Sequence, residues 1–493
     1  MKTVKIALLG LGNVGRGVWN ILKMNEEEIM KRSGCKVEVA KILVRDKNKP
    51  RTVEVLDEIV TTDFNEILND DSIKIVVEVM GGIEPAKDYI LKAMSKKKNV
   101  VTANKMLIAT NGDELFHKAD EEGVMINYEA SVAGGIPIIQ SINESLTANK
   151  IEQLYGIVNG TTNFILSKME LEGSGFYDVL KEAQELGYAE ADPTSDIEGY
   201  DAQYKLAILA SLAFGTKIDI DKVYRQGITN ITSLDMEYAK SLGMVIKLLA
   251  IVKEKNGKLE LRVHPTMIPE THPLANVYDS FNAVFIKGNA VGDLMFYGRG
   301  AGDLPTGSAV VADIISVIRD EIASKENSRS AVKNELWKKE LMDISEVESR
   351  YYIRLSVEDK PGVLADLTAI LGYNKVSLRS VMQKGKSRSA DGGVILVLTT
   401  HHTTEADVKA SLETMKKLES VKSIDNLIRI EDLDDDFYIY DEENYRLIGR
   451  KHHKQYRIGD NIKIIVKSAS KASKTIDFLI YKEEENGNTK QKS

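Results

Sequence analysis

Residues 2–24 read KTVKIALLGLGNVGRGVWNILKM. An apolar, β-rich run up to Leu9 passes directly into Gly10-Leu11-Gly12-Asn13-Val14-Gly15, and VWNILKM continues with helical periodicity. G-x-G-x-x-G alone is a weak signal. Between a strand and a helix it is the phosphate-binding turn of a dinucleotide fold. Gly10 permits the tight turn, Gly12 lets a pyrophosphate approach the backbone, and Gly15 lets the helix pack on the strand, with Asn13 and Val14 in the same cofactor-binding turn. The basic, apolar start imitates a secretory signal, but it runs into glycines and lacks an A-x-A site, so it reads as a first strand.

The second strand, KVEVAKILV, ends at Arg45-Asp46. An acidic residue here would hold a ribose 2′-hydroxyl, whereas arginine accommodates a 2′-phosphate. Arg45, with Lys47, Lys49 and Arg51 nearby, favours NADP; Asp46 keeps NAD open, and a solvated basic turn is the plain alternative. After a third strand, IKIVVEVM, the run NVVTANKMLIA sets Lys105 at a strand's C-terminal end. In a doubly wound sheet that position faces the ligand crevice, although a simple loop lysine fits the same pattern.

A length of 493 residues predicts roughly three domains. The charged fraction of 28% and hydrophobic fraction of 43% are those of an ordinary soluble protein, and a net charge of -8 argues against a nucleic-acid binder. The single Cys35 excludes an internal disulfide. No apolar run approaches the ~20 residues of a membrane span. A cytoplasmic location is expected.

The chemistry concentrates in residues 186–215, LGYAEADPTSDIEGYDAQYKLAILASLAFG. Five carboxylates (Glu190, Asp192, Asp196, Glu198 and Asp201) precede Lys205 and a nearly all-apolar helical run. A helix starting between Asp196 and Gly199 places Asp201 and Lys205 one turn apart on one face. A solvated i,i+4 ion pair is the bland reading, worth a few tenths of a kcal/mol. The apolar run favours instead a desolvated lysine able to exchange a proton near neutrality. The acidic residues would gather at a pocket mouth, suiting a substrate that carries positive charge, such as an amino acid.

Three further stretches stand out. Glu129-Ala130-Ser131-Val132-Ala133-Gly134-Gly135-Ile136-Pro137 predicts a sharply bent backbone with exposed carbonyls. One carboxylate plus carbonyls suits a monovalent cation, while a hinge is the simpler reading. In LYGIVNGTTNFIL, the polar turn Asn159–Asn163 either orients a substrate or caps a helix. Gly298-Arg299-Gly300-Ala301-Gly302-Asp303 opens another helix and could complete the cofactor crevice.

Taken together, GLGNVG, TANK, EASVAGGIPII, NGTTNFIL, LGYAEADPTSDIEGYDAQYKLAILA and GRGAGDLPTGSAVVADI resemble, in order and spacing, the homoserine dehydrogenase family over residues 1–330. The resemblance implies NAD(P)H-dependent, reversible reduction of L-aspartate 4-semialdehyde to L-homoserine, on the route to threonine, methionine and isoleucine. It implies Lys205 as the catalytic proton donor, Asp201 and Asp196 as acidic residues that support substrate and lysine, with Asp196 and Glu190 binding substrate. Lys105 would lie between nicotinamide and substrate, and Gly302 would touch the cofactor. Glu129, with the backbone of Val132, Gly134 and Ile136, would hold a monovalent cation, sodium in the family. The alternatives are another NADP-dependent amino-acid aldehyde reductase and a catalytically weak threonine-binding regulator. A bifunctional arrangement with aspartokinase is not expected.

The expected class is α/β: a Rossmann-type domain (1–140), an α+β catalytic and dimerisation domain (141–330) whose last helix returns to the first, and a linker (331–349). Residues 350–430 (YYIRLSVEDKPGVLADLTAIL onwards) follow a βαββαβ order that resembles the ferredoxin-like ACT domain. That resemblance implies threonine as effector near Asp359-Lys360-Pro361-Gly362, and a homodimer or homotetramer. Residues 431–493 resemble the second half of an S1-type OB fold of RNase R-like exoribonucleases without its opening strands. This tail is expected to be poorly ordered, and RNA contact by it is not expected.

Overall fold

The computed structural model describes residues 2–326, 339–383 and 392–431, with five strands between 438 and 480. Strands β1 (Lys2–Leu9), β2 (Cys35–Leu43), β3 (Val60–Thr61), β4 (Ile73–Glu78), β5 (Asn99–Thr102) and β6 (Ile126–Asn127) form one parallel sheet in the order β3-β2-β1-β4-β5-β6. Ile6, Ala7, Leu8 and Leu9 of β1 and Ile75, Val76 and Val77 of β4 are sealed from solvent, as expected of strands covered on both faces. Chain order reverses between β1 and β4, so a ligand crevice opens beyond their carboxyl ends. The helix Asp303–Glu326 returns to this domain: Ala309, Val310, Val311, Ile314, Val317 and Ile318 join the core made by β1 and the helix Asn13–Met24. The two helices nearly touch, since a Cβ on Gly17 would lie 1.9 Å from the Asp303 carbonyl oxygen.

A second sheet of twelve strands carries the rest of the first unit. The strands are β7 (Ile151–Ile157), β8 (Tyr224–Arg225), β9 (Met244–Lys255), β10 (Lys258–Pro269), β11 (Phe281–Gly288), β12 (Gly292–Arg299), β13 (Glu340–Leu341), β14 (Glu348–Val357), β15 (Leu378–Met382), β16 (Val394–Thr400), β17 (Thr403–Thr404) and β18 (Val421–Ile430). They run β12-β11-β7-β9-β10-β18-β14-β16-β15, with β8 and β13 on β10 and β17 on β14. Strands β14 to β18, with helices Val363–Tyr373 and Glu405–Met415, make the expected βαββαβ unit. It is joined to the catalytic domain through its own edge: β18 pairs in parallel with β10, Thr266 opposite Arg429 and Met267 opposite Ile430.

The chain forms two units, Met1–Asp432 and Leu433–Ser493. The boundary corrects the expected start of the tail at 431, because Glu431 is buried in the first unit. Its carboxylate pairs with Lys253 at 2.5 Å and with Arg262, and these two cations outweigh burial and hold it far below the usual carboxylate range. In the second unit, β19 (Tyr438–Asp441), β20 (Arg446–Gly449) and β21 (Gln455–Arg457) form an antiparallel sheet, and β22 (Ile464–Ser470) and β23 (Thr475–Ile480) form a hairpin. The expectation of poor order in this tail, and residues 331–338 of the linker, lie outside the described residues.

Candidate active site

The phosphate turn is shaped by glycines for two different reasons. Gly10 has φ +105, and a Cβ on Gly15 would sit 2.3 Å from the Gly10 carbonyl oxygen, so both are required by the protein's own backbone. A Cβ on Gly12, by contrast, meets no atom within 4 Å. The space above Gly12 is open, and the helix that begins at Asn13 has no side-chain cap there. The first hydrogen bond of that helix runs from Arg16 N–H to the Gly12 carbonyl, leaving the N–H groups of Asn13, Val14 and Gly15 outside the helical ladder. The turn therefore fits a dinucleotide pyrophosphate. Arg45 lies exposed two residues past Leu43, whose carbonyl accepts the Gly10 N–H at 3.0 Å, so it sits at the lip of the same turn. Arg51 folds back onto the carbonyls of Asp46 and Lys47 at 2.8 Å, fixing the loop beyond.

The helix Tyr200–Phe214 starts where Gly199, at φ +82, turns the chain, one short helix (Thr194–Ile197) after the acidic segment. Asp201 and Lys205 face inward, 3% and 8% exposed. The Lys205 ammonium donates to Asp201 Oδ2 at 2.7 Å and to the Val158 carbonyl at 2.7 Å. Lys105, first residue of the helix Lys105–Glu122, reaches the other oxygen of Asp201 at 2.5 Å while its side chain stays 42% exposed. It is aimed by Asn104, whose Oδ1 caps that helix at the Leu107 N–H and whose amide donates to the Gly82 carbonyl at 2.6 Å.

One carboxylate thus bridges two lysines. Burial raises the Asp201 carboxyl, but the two ammonium groups reverse this and hold it well below its usual range. The lysines diverge. Asp201 raises Lys105 against the opposing effect of burial, whereas desolvation outweighs Asp201 at Lys205 and lowers it. Burial, then the Asp201 charge, raises Asp196.

Asn159 organises the group. As cap of the helix Gly160–Glu172 it accepts from Thr162 N–H at 2.8 Å, and its amide donates to Asp196 at 2.7 Å and Asp201 at 2.9 Å. The capping reading of the polar turn holds, and the same side chain also ties Asp196 to Asp201. The five carboxylates do not all converge. Asp192 is spent on the Thr194 hydroxyl and N–H, Glu198 turns toward Thr229, and Glu190 is exposed but near enough to help raise Lys105.

The bent loop is buried as well. Ala133 and Gly134 have φ +54 and +51, a costly conformation for alanine, and a Cβ on Gly134 would lie 2.5 Å from the Gly300 carbonyl oxygen. Glu129, 5% exposed, accepts from the N–H groups of Ile139 (2.9 Å) and Gln140 (2.7 Å), and its own N–H donates to Asp313 at 2.9 Å. Burial raises both carboxyls, Asp313 to about 8. Two desolvated carboxyls thus lie close together behind the bent loop, each accepting from backbone N–H. The loop continues to Val132 and Ile136, 0% and 2% exposed, and Gly302, at φ +122, closes the neighbouring glycine turn.

Comparison with known proteins agrees along the first unit. Residues 10–129 match the family model "Homoserine dehydrogenase, NAD binding domain", residues 137–315 match "Homoserine dehydrogenase", and residues 351–420 match the ACT domain. The homoserine dehydrogenase of Bacillus subtilis is 42% identical over 87% of this chain and 99% of its own length, and that of Pseudomonas aeruginosa is 45% identical over 88% and 100%. The crystal structure of a homoserine dehydrogenase from Thiobacillus denitrificans superposes with TM-score 0.81 at 44% identity, covering 88% of this chain and 99% of that one. A hyperthermophilic archaeal homoserine dehydrogenase in complex with NADPH superposes with TM-score 0.54 at 29% identity, covering 64% and 97%. With its dinucleotide turn, its lysine–carboxylate cluster and these likenesses, the chain belongs to the homoserine dehydrogenase family.

Proposed function

We propose that Lys205 donates the proton in the family's reaction, the NAD(P)H-dependent reduction of L-aspartate 4-semialdehyde to L-homoserine. A reduced nicotinamide supplies the hydride to the aldehyde carbon, and the carbonyl oxygen then needs one proton. Lys205 is the buried ammonium that shares Asp201 with Lys105 and whose proton is loosened by desolvation, and this observation carries the assignment. Asp201 holds it charged and oriented. Lys105, more exposed and firmly protonated, stands where it meets nicotinamide and substrate together. Asp196 and Glu190 receive the substrate's ammonium group. The cofactor is held by Gly10, Gly12, Asn13, Val14, Gly15 and Gly302, and Arg45 selects NADPH by its 2′-phosphate; the NADPH held by the archaeal relative supports that preference. Glu129 and the carbonyls of Val132, Gly134 and Ile136 hold a sodium-like ion that sets the loop. The ACT unit senses threonine, and the enzyme is a cytoplasmic homodimer or homotetramer.

The test is NADPH oxidation with L-aspartate 4-semialdehyde, with and without millimolar threonine. Lys205→Ala is expected to lose nearly all kcat while binding NADPH as the parent does. Undiminished turnover in that variant refutes the proton-donor assignment, and an unchanged rate and thermal midpoint with threonine refute the sensor.

A further inference from the structure

Between the ACT unit and the active site runs a segment that neither motif accounts for, Tyr224 to Asp235. Its ends are gripped by ACT side chains. Arg429 of β18, 1% exposed and paired with Glu405 at 2.5 Å, places its guanidinium 4.5 Å from the centre of the Tyr224 ring and donates to Gln226 at 3.3 Å. At the other end Asn426 donates to the Asn230 carbonyl (3.1 Å) and to Asp235 (3.0 Å). Arg354 donates to Thr232 (3.0 Å), and the Tyr352 hydroxyl donates to Asp235 (3.0 Å).

The middle of the segment grips the turn that carries the catalytic carboxylates. The Arg225 guanidinium donates to the Glu198 carbonyl and stacks 3.5 Å from the centre of the Tyr200 ring. Ile228 N–H donates to the Ile197 carbonyl at 2.8 Å, and Thr229 reaches Glu198 at 3.3 Å. The two backbones are pressed together: a Cβ on Gly227 would lie 2.4 Å from the Ile197 oxygen. Asp196 immediately precedes this turn, residues 197–200, and Asp201 immediately follows it.

We propose that residues 224–235 are a strap through which the ACT unit sets the position of Asp196 and Asp201, with Arg225 as the positioning residue and Arg429 as the regulatory-side grip. The strap is held on three sides: Tyr224 and Arg225 pair with β10, ACT side chains hold Gln226, Asn230, Thr232 and Asp235, and its centre is bonded to the 197–200 turn. A displacement of Arg429, Asn426 and Arg354 relative to β10 therefore loads the strap between its two anchors, and through Arg225 and Ile228 the load reaches the carboxylates that orient Lys205 and receive the substrate. The inference needs no particular effector and stands apart from the threonine assignment.

The test is a double-mutant cycle on the full chain with Arg225→Met, Arg429→Met and the pair. The readouts are kcat and KM for the aldehyde, NADPH affinity by fluorescence, and the thermal midpoint. Arg225→Met is expected to lower kcat/KM by about tenfold to a hundredfold, chiefly through KM, with NADPH affinity unchanged and Arg225→Lys partly restoring it. A residue that only supports folding would reduce the active fraction and leave KM alone. The pair is expected to depart from additivity by at least about threefold. Unchanged KM in Arg225→Met, or additive effects in the pair, overturns the proposal. Should Arg429→Met fail to fold, Gln226→Ala cuts the same contact, and the same criteria apply to it.

Discussion

Replacing Asp201 by asparagine keeps the shape and hydrogen-bonding reach of the side chain while deleting the charge between two ammonium groups. Those groups lie 2.5 and 2.7 Å from its oxygens. At an effective dielectric near 20, each contact contributes about 6 kcal/mol of attraction before desolvation is counted. Measured costs of stripping one partner from a buried pair are smaller, about 3–5 kcal/mol. Lys105 is half-open to water and tolerates the loss. Lys205 is buried and already lowered, and its available response is to release its proton. Desolvation would then act on Lys205 without its counter-charge and lower it further, so that less of it is protonated, and kcat for reduction should drop by about 10²–10⁴. The sign is specific. A proton donor is lost as pH rises through its pKa, so the alkaline fall in the reduction rate should move to lower pH in the variant. NADPH oxidation at saturating aldehyde from pH 6 to 10 reads this directly, with NADPH titration as the folding control. An alkaline limb at the parental pH, with kcat within about fivefold, would refute the bridging role of Asp201.

Three further outcomes are expected. Gly12→Ala should leave the thermal midpoint unchanged and weaken NADPH binding by about tenfold or more, because its Cβ enters space that no protein atom occupies; Gly15→Ala should destabilise the fold itself. Calorimetry and cofactor titration separate the two, and parental NADPH affinity in Gly12→Ala would show that the turn is not the pyrophosphate site. Lys247 is sealed from solvent, and burial pushes it down to about 8 from 10.5. The unfolded chain holds more protons between those values, so the parent should gain up to about 3 kcal/mol of stability as pH rises through that window. Lys247→Met should lose this gain, and parallel urea midpoints for both proteins across that range would refute it. Glu431→Ala leaves Arg262 buried without its interstrand partner and should cost about 3–5 kcal/mol, whereas a chain ending at Asp432 should keep the parental midpoint of the first unit.

How far the sequence was legible depends on whether a feature is local. The glycine turn between β1 and its helix announces the dinucleotide domain because strand, turn and helix are consecutive. Asp201 and Lys205 are one helical turn apart, so their pairing follows from the helix alone. Which of five carboxylates point inward does not follow, since that is decided by Asn159, forty residues earlier, and by Arg225 and Thr229 downstream. Asn159 was visible as a cap, but its second role requires knowing that β7 ends beside the helix Tyr200–Phe214. Asp313 gave no signal at all: it looks like any polar residue on a helix until that helix is laid against Glu129. The seam between β10 and β18 is equally silent, because Thr266 and Arg429 are far apart in the chain and meet only in the assembled sheet. Glu431 was assigned to the tail for the same reason, its partners Arg262 and Lys253 lying far upstream.

That seam bears on how such enzymes can be taken apart. A regulatory module tethered by a linker can be deleted or exchanged, leaving a working catalyst behind. Here, deletion would strip β10 of a neighbour, expose a sticky strand edge, and leave Arg262 and Lys253 without the carboxylate they share. An insensitive enzyme is therefore better sought by changing single side chains within the ACT unit than by removing it. Swapping the module between relatives should succeed only when the end of β10, the strap and the closing Glu431 travel with it.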